Sequence, residues 1–347
     1  MKKLLYLIAV AAIAASVMAV NNAAKARPTL TNIHADASST SKPFMPIKRC
    51  MNMSSMEAPN EGDWYNYKIR KKDIKNVAEA GFDTIRMPVR VSHHTAPNAP
   101  YKISDTLLNR MDEVVNWGLE YDLQVIVDVH HYVELNENAD LHEPRLEAIW
   151  DQLARHYAAA PSNLIFELIN EPFGDMTVKR TDALNSRLLK RVRQDNPDRW
   201  VIIGSAEWGT LNGLIKSTPP NDPKIISTFH YYSPFKYTHQ GAEWTPKPMP
   251  MGEKWGTQKD KDTITKEFKK AKRWADKQGN PLLLGEFGVI KNLSNYERAR
   301  WTRHVRETAE ANQMGWCYWD MMGGFKVWDR DEERWIPPVL YALIPNL

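Results

Sequence analysis

The chain alternates short, nearly continuous apolar runs with longer segments in which apolar residues recur every three or four positions. Eight runs stand out: Ile47–Met53, Phe82–Pro88, Leu123–Val129, Leu164–Ile169, Trp200–Ile203, Ile225–Phe229, Leu282–Gly285 and Met314–Trp319. Between them, Tyr67–Ala80, Asp105–Leu119, Glu143–Tyr157, Thr181–Arg193, Asp260–Lys277 and Tyr296–Ala311 each place an apolar stripe on one helix face. Trp208–Ile215 does so over a shorter span, and Tyr341–Ile344 sits in a terminal helix. Ser104 and Asn295 precede two of these segments as helix caps. Strand followed by helix, eight times over, requires parallel strands with helical crossovers. The simplest closed solution is a single-domain (β/α)8 barrel over residues 47–347. An open, doubly wound sheet is the alternative. It calls for a glycine-rich first turn, and the first turn here reads Met51-Asn52-Met53-Ser54-Ser55.

The first 46 residues differ from the rest. Lys2 and Lys3 precede an uncharged apolar stretch, Leu4–Ala19, with the small residues Val17 and Ala19 set as at a cleavage site. This is the layout of a secretory signal peptide over residues 1–19, and an uncleaved anchor is the alternative. Residues 20–46 are rich in Ala, Ser, Thr, Asn and Pro and read as a flexible tether; an arm packed on the domain is the other reading. The expectation is a secreted protein, with no membrane contact in its mature form.

Charge changes the picture by what it excludes. The chain holds 46 Lys and Arg against 42 Asp and Glu. Residues 1–46 contribute five of the bases and one of the acids, so the remainder carries 41 of each sign. A broad basic footprint for nucleic acid is absent. Two cysteines make neither a disulfide-dense scaffold nor a structural zinc site.

A barrel carries its chemistry where strands end. The fourth run ends Asn170-Glu171-Pro172 and the seventh ends Gly285-Glu286-Phe287-Gly288. Two carboxylates at strand ends across a barrel mouth are the parts for glycoside hydrolysis, one as acid and one as nucleophile. The structural alternatives are a helix cap for Glu171 and a salt bridge for Glu286. The second run holds Arg86, a cation inside an apolar run that needs a partner: an anionic nucleophile, or else Asp83 or another surface acid. His130 and His131 end the third run, and His230 and Tyr232 end the sixth, where they are placed to bond sugar hydroxyls and orient the carboxylates. A catalytic metal is not expected, because adjacent histidines on a strand point apart and no His-Glu-x-x-His pattern occurs. Trp319 ends the eighth run, and Trp64, Trp208, Trp244, Trp255 and Trp328 fall in or near loops; flat rings suit the C–H faces of sugars.

In this order the motifs resemble glycoside hydrolase family 5, the endo-β-1,4-glucanase and β-mannanase family. The resemblance covers residues 47–345 and rests on Arg86, His130, Asn170-Glu171-Pro172, His230-x-Tyr232, Gly285-Glu286-Phe287-Gly288 and Trp319. It implies a (β/α)8 fold, retention of anomeric configuration and no cofactor. Glu286 is the implied nucleophile and Glu171 the implied acid/base. Asn170 is expected to bond the sugar 2-hydroxyl or the nucleophile, while Arg86 and Tyr232 keep Glu286 ionised and aimed. Strings around Glu57–Trp64 and His230–Trp244 resemble a bacterial group of mixed glucanase and mannanase activity, in which the positions of Glu57, His131, His239 and Trp244 line the cleft. One departure concerns the first loop. Arg49-Cys50-Met51-Asn52-Met53-Ser54-Ser55-Met56-Glu57 is one residue shorter than the family pattern and lacks its two glycines and second Asn. The implied function is a secreted endo-acting β-1,4-glucanase, monomeric, with a polysaccharide as its partner. A β-mannanase or a dual enzyme is the alternative, and a non-catalytic glycan-binding barrel a distant one. Cys50 and Cys317 fall on neighbouring strands of a closed barrel, as a disulfide or as two buried thiols.

Overall fold

Residues 44–345, apart from Pro246 and Pro248, are described by a computed structural model of the chain. Eight parallel strands form a closed barrel in chain order: β1 (Arg49–Asn52), β2 (Thr84–Val89), β3 (Gln124–Val129), β4 (Leu164–Glu167), β5 (Val201–Ile203), β6 (Ile225–His230), β7 (Leu282–Phe287) and β8 (Gly315–Tyr318). β8 pairs with β1, so the sheet has no free edge. The helices are α1 (Lys71–Glu79), α2 (Asp105–Glu120), α3 (Val133–Glu137), α4 (Ala139–His156), α5 (Val178–Asp195), α6 (Leu211–Lys216), α7 (Phe235–Thr238), α8 (Gln258–Gln278), α9 (Asn295–Ala311) and α10 (Pro337–Leu343). A two-stranded hairpin, β9 (Trp328–Asp329) with β10 (Arg334–Trp335), follows β8.

Strand side chains alternate between the helix-facing and the interior side. The outward set joins the helices in one large apolar core. The inward set is layered. Cys50, Ile126, Ile165, Ile202, Ile226, Leu283 and Cys317 come from seven strands and pack, with Ile47, into a separate buried cluster. Two positions further along β1, β2, β3 and β4, the same face presents Asn52, Arg86, Asp128 and Glu167, all buried. The barrel therefore has an apolar floor and a polar layer above it, on the side where the strands end.

The elements depart from their sequence-based bounds for local reasons. α1 starts at Lys71 because Tyr67 is tied to the first loop, its hydroxyl to Ser54 at 3.2 Å and its carbonyl to Ser55. α4 starts at Ala139, since the Asn138 side chain accepts from Leu141 N, and Pro144 lies inside the helix. Ser294, not Asn295, caps α9 by accepting from Glu297 N. α6 begins after Thr210 because Trp208 has φ of 56°, outside the helical region. Residues 1–43, with the expected leader and most of the expected tether, lie outside the described residues; Met45 packs against the barrel floor.

Cys50 and Cys317 are joined in a disulfide across the seam between β1 and β8, where they are register partners. Denatured protein should therefore take up no alkylating agent until reduced, and then take up two labels per chain, read by intact mass. A Cys50→Ala/Cys317→Ala variant should lose about 2–4 kcal/mol of stability in denaturant unfolding.

Candidate active site

The polar layer is organised by Arg86, which is fully buried. A lone cation there would be heavily penalised, so its donors are all taken. Nε and Nη2 donate to the two oxygens of Glu167 at 2.7 and 2.9 Å. Nη1 donates to Glu286 Oε1 and Asn52 Oδ1, each at 2.9 Å. Nη2 also reaches Asn170 Oδ1 at 2.8 Å and Asp128 Oδ2 at 3.0 Å. Together these acids hold the guanidinium well above its usual pKa, against the opposing pull of burial. Asp83, the alternative partner in the sequence reading, instead accepts from the backbone of Lys48 and Arg49 below the floor.

Glu171 and Glu286 face each other over this layer. One oxygen of each, together with a nitrogen of His230, lie within 4.8 Å of one another. His230 Nδ1 is 2.7 Å from Glu171 Oε1 and 3.5 Å from Glu286 Oε2. Tyr232 donates its hydroxyl to Glu286 Oε2 at 2.9 Å. Glu171 stands at the sharp turn after β4 with φ of 46°, a conformation non-glycine residues rarely adopt and one often stored at functional sites. Gly209, with φ of 62°, lies close by; a Cβ there would come within 3.6 Å of both Glu171 and His230.

Burial raises the Glu171 carboxyl, but the His230 hydrogen bond and the charges of His230, His130 and His131 outweigh it and hold the group below its ordinary value. Burial lowers His230, but the charges of Glu286 and Glu171 carry it above its ordinary value. The pair thus shares a proton that rests on the imidazole. Burial, then the charges of Glu286 and Glu171, push the Tyr232 phenol far up, so it stays a donor.

A second network lies beside the first. His130 Nδ1 bonds Asp128 Oδ2 at 2.5 Å, and its Nε2 lies 3.2 Å from Glu57 Oε2. His131 Nε2 meets the same Glu57 oxygen at 3.0 Å, and Tyr65 donates to Glu57 Oε1 at 2.6 Å. Burial raises Glu57, yet the two histidines bring it down to about 2. Burial lowers His130, yet Asp128 and Glu57 bring it up to about 10. The shortened first loop still delivers Glu57. It forms a buried 3-10 turn, Ser54–Glu57, in which Ser54 bonds Asp320 and Ser55 bonds the Tyr67 carbonyl.

Asn170 is engaged by Arg86 and, at 3.4 Å, by His130. Of its two expected bonds, to the sugar 2-hydroxyl or to the nucleophile, the second is not among those the described residues make; Asn170 and Glu286 each meet Arg86 instead. Trp319 is nearly buried and stacks on His130, 5.7 Å apart and 7° from parallel. His239 stacks on Phe235 at 3.9 Å, and burial pushes it down to about 4, so it is neutral. Trp244 is exposed, 6.3 Å from His239.

Two triads come close enough to share a cation, Glu57–His130–His131 and Glu171–His230–Glu286. Their chemistry does not suit one. Both nitrogens of His130 face carboxylates and carry protons, and His230 donates its Nδ1 proton to Glu171; a protonated nitrogen has no lone pair for a metal.

Sequence reasoning missed Asp128, Glu167, Asn52 and Tyr65. The signal for the first two was present: each is an acid on the interior face of an apolar strand, two residues after an isoleucine. Phe173 was also missed. It stacks on Trp208 at 5.0 Å and 10°, and Trp208 is 55 % exposed.

The description "Cellulase (glycosyl hydrolase family 5)" belongs to a family model that matches residues 38–324. Endoglucanase H of Acetivibrio thermocellus is 33 % identical over 296 residues, which is 84 % of this chain. The chain spans only 32 % of that protein's length. A hyperthermophilic endo-beta-1,4-glucanase solved in complex with substrate superposes with a TM-score of 0.85 at 36 % identity, covering 86 % of this chain and 97 % of that one. Thermotoga maritima Cel5A in complex with mannotriose gives 0.84 at 37 %, with the same coverage of each chain.

Proposed function

The chain belongs to glycosyl hydrolase family 5, and we propose that it is a secreted, endo-acting β-1,4-glucanase that retains anomeric configuration. One observation carries the mechanism: Glu171 and Glu286 each bring an oxygen within 4.8 Å of the other and of His230. Retaining enzymes hold their carboxyl groups about 5–5.5 Å apart, whereas inverting enzymes leave about 6.5–9.5 Å for a water. Glu286, fixed by Arg86 and Tyr232, attacks the anomeric carbon. His230 passes its proton across their 2.7 Å hydrogen bond to Glu171, which hands it to the leaving oxygen and is left ionised. Glu171 then draws a proton from water, which releases the sugar from Glu286.

The substrate reading draws on the relatives named as endoglucanases. A mannan reading stands beside it, because a structure of similar fold was solved with mannotriose. Secretion is supported by the leader-like residues 1–19 and by the Cys50–Cys317 disulfide, a bond at home in oxidising compartments. We read the protein as a monomer. Reducing-sugar release on carboxymethylcellulose, barley β-glucan and galactomannan tests the substrate. Release from the glucans supports the proposal; release from galactomannan alone replaces it with a mannanase.

The Phe173–Trp208 stack adds a prediction. Trp208 N bonds the carbonyl of Pro172, the residue after Glu171, and the exposed stack is our candidate platform for a sugar of the substrate. Trp208→Ala should raise KM for cellopentaose by roughly tenfold, the effect of losing one ring face, and leave kcat within a few-fold. Michaelis kinetics on cellopentaose check this.

A further inference from the structure

Glu167 takes no part in the displacement, yet it holds more of Arg86 than the nucleophile does. Its carboxylate is 1 % exposed, and both oxygens are bound by one edge of the guanidinium. Bidentate pairing fixes a guanidinium in its plane, which a single bond does not. With Nε and Nη2 committed to Glu167, Nη1 is left aimed at Glu286 and Asn52. Asn52 locks that end, since its Nδ2 donates to the carbonyls of Gly285 and Tyr318 at 3.2 and 3.1 Å. One cation thus faces three acids: Glu167, Asp128 at 3.0 Å and Glu286. Charge drawn to Glu167 is withheld from the nucleophile.

We propose that Glu167 is a positioning residue that fixes the plane of Arg86 and divides its charge, and so sets the nucleophilic strength of Glu286. The groups facing Glu167 are Arg86 from β2, Asp128 from its register partner position on β3, and His230 from β6. Loss of the Glu167 charge leaves Arg86 undivided toward Glu286. A carboxylate facing a stronger cation is a more stable anion and a slower attacker.

Glu167→Gln keeps one acceptor oxygen but sets an amide N–H against a guanidinium N–H. The variant should lose on the order of 10- to 100-fold in kcat on aryl cellobiosides, whose good leaving groups need little acid assistance, with KM changed less. The acid limb of its kcat/KM profile should move to lower pH. Glu167→Asp keeps the charge but draws the fork back by about one bond length; it should lower kcat while leaving the acid limb in place, and it serves if the Gln variant does not fold. An unshifted acid limb in Glu167→Gln, with normal kcat per folded molecule, would overturn the proposal, as would an unchanged kcat in Glu167→Asp. The inference rests on Glu286 as nucleophile. That reading is tested separately by incubating the parent protein with a 2-deoxy-2-fluoro cellobioside and locating the adduct by mass: no adduct on Glu286 rejects the mechanism itself.

Discussion

Glu286→Gln should bring turnover on barley β-glucan down by roughly ten-thousand-fold or more while leaving the melting temperature within a few degrees. An amide does not attack an anomeric carbon, so no covalent intermediate forms. The fold should tolerate the change because Arg86 keeps Glu167 and Asp128, and the amide oxygen still accepts from Nη1. Substrate contacts elsewhere in the cleft remain, so cellotetraose binding measured by calorimetry should persist. Activity near that of the parent would reject the assignment of Glu286.

Glu171→Gln should cost about a thousand-fold on β-glucan and far less on an aryl cellobioside with an acidic phenol. General acid catalysis contributes about 10²–10⁴-fold, and an activated leaving group needs little of it. Equal losses on both substrates would remove Glu171 from the acid role. The pH dependence follows from the shared proton. His230 is raised above its ordinary value and Glu171 lowered below its own, so the pair is loaded with its proton at pH values below the raised imidazole value. The basic limb of kcat/KM should therefore fall above about 6.5, the ordinary imidazole value, and activity should be lost as pH rises through it. In His230→Asn, Glu171 loses the hydrogen bond and charge that lower it most and keeps burial against only the charges of His130 and His131, so its carboxyl rises and the proton returns to the carboxyl itself. A basic limb unchanged by that substitution would show that the imidazole does not hold the proton.

Much of the barrel was legible because parallel strands are buried on both faces and read as nearly continuous apolar runs. Leu164–Ile169 and Leu282–Gly285 are examples, and each ends in a carboxylate that the strand carries to the mouth. Ends were less legible. Chain before Lys71 reads as helical because Tyr67 lies seven residues before Ile74, on one helical face, but Tyr67 is tied to the first loop through Ser54 and Ser55. Within the site, Glu171, Glu286, His230 and Tyr232 announced themselves by standing past the last apolar residue. Asp128 and Glu167 did not, because they lie inside the runs. The rule that flagged Arg86, that a buried charge needs a partner, applies equally to them: one cation with three nearby acids is a single ledger of charge, and reading only its positive member hid the rest. The grip of His130 and His131 on Glu57 crosses from β3 to the loop after β1, and no local pattern reports such a contact.

The bond between Cys50 and Cys317 spans 267 residues and joins the first strand of the barrel to the last. Most of the polypeptide is thereby a covalent ring, with the mouth loops as arcs on its circumference. Exposed loops are where proteases cut. One cut anywhere on the ring opens it without parting it into two molecules, and the halves stay registered through the remaining strand pairs. Nicked enzyme should run as a single band on a non-reducing gel, as two under reduction, and keep its activity until the disulfide is broken.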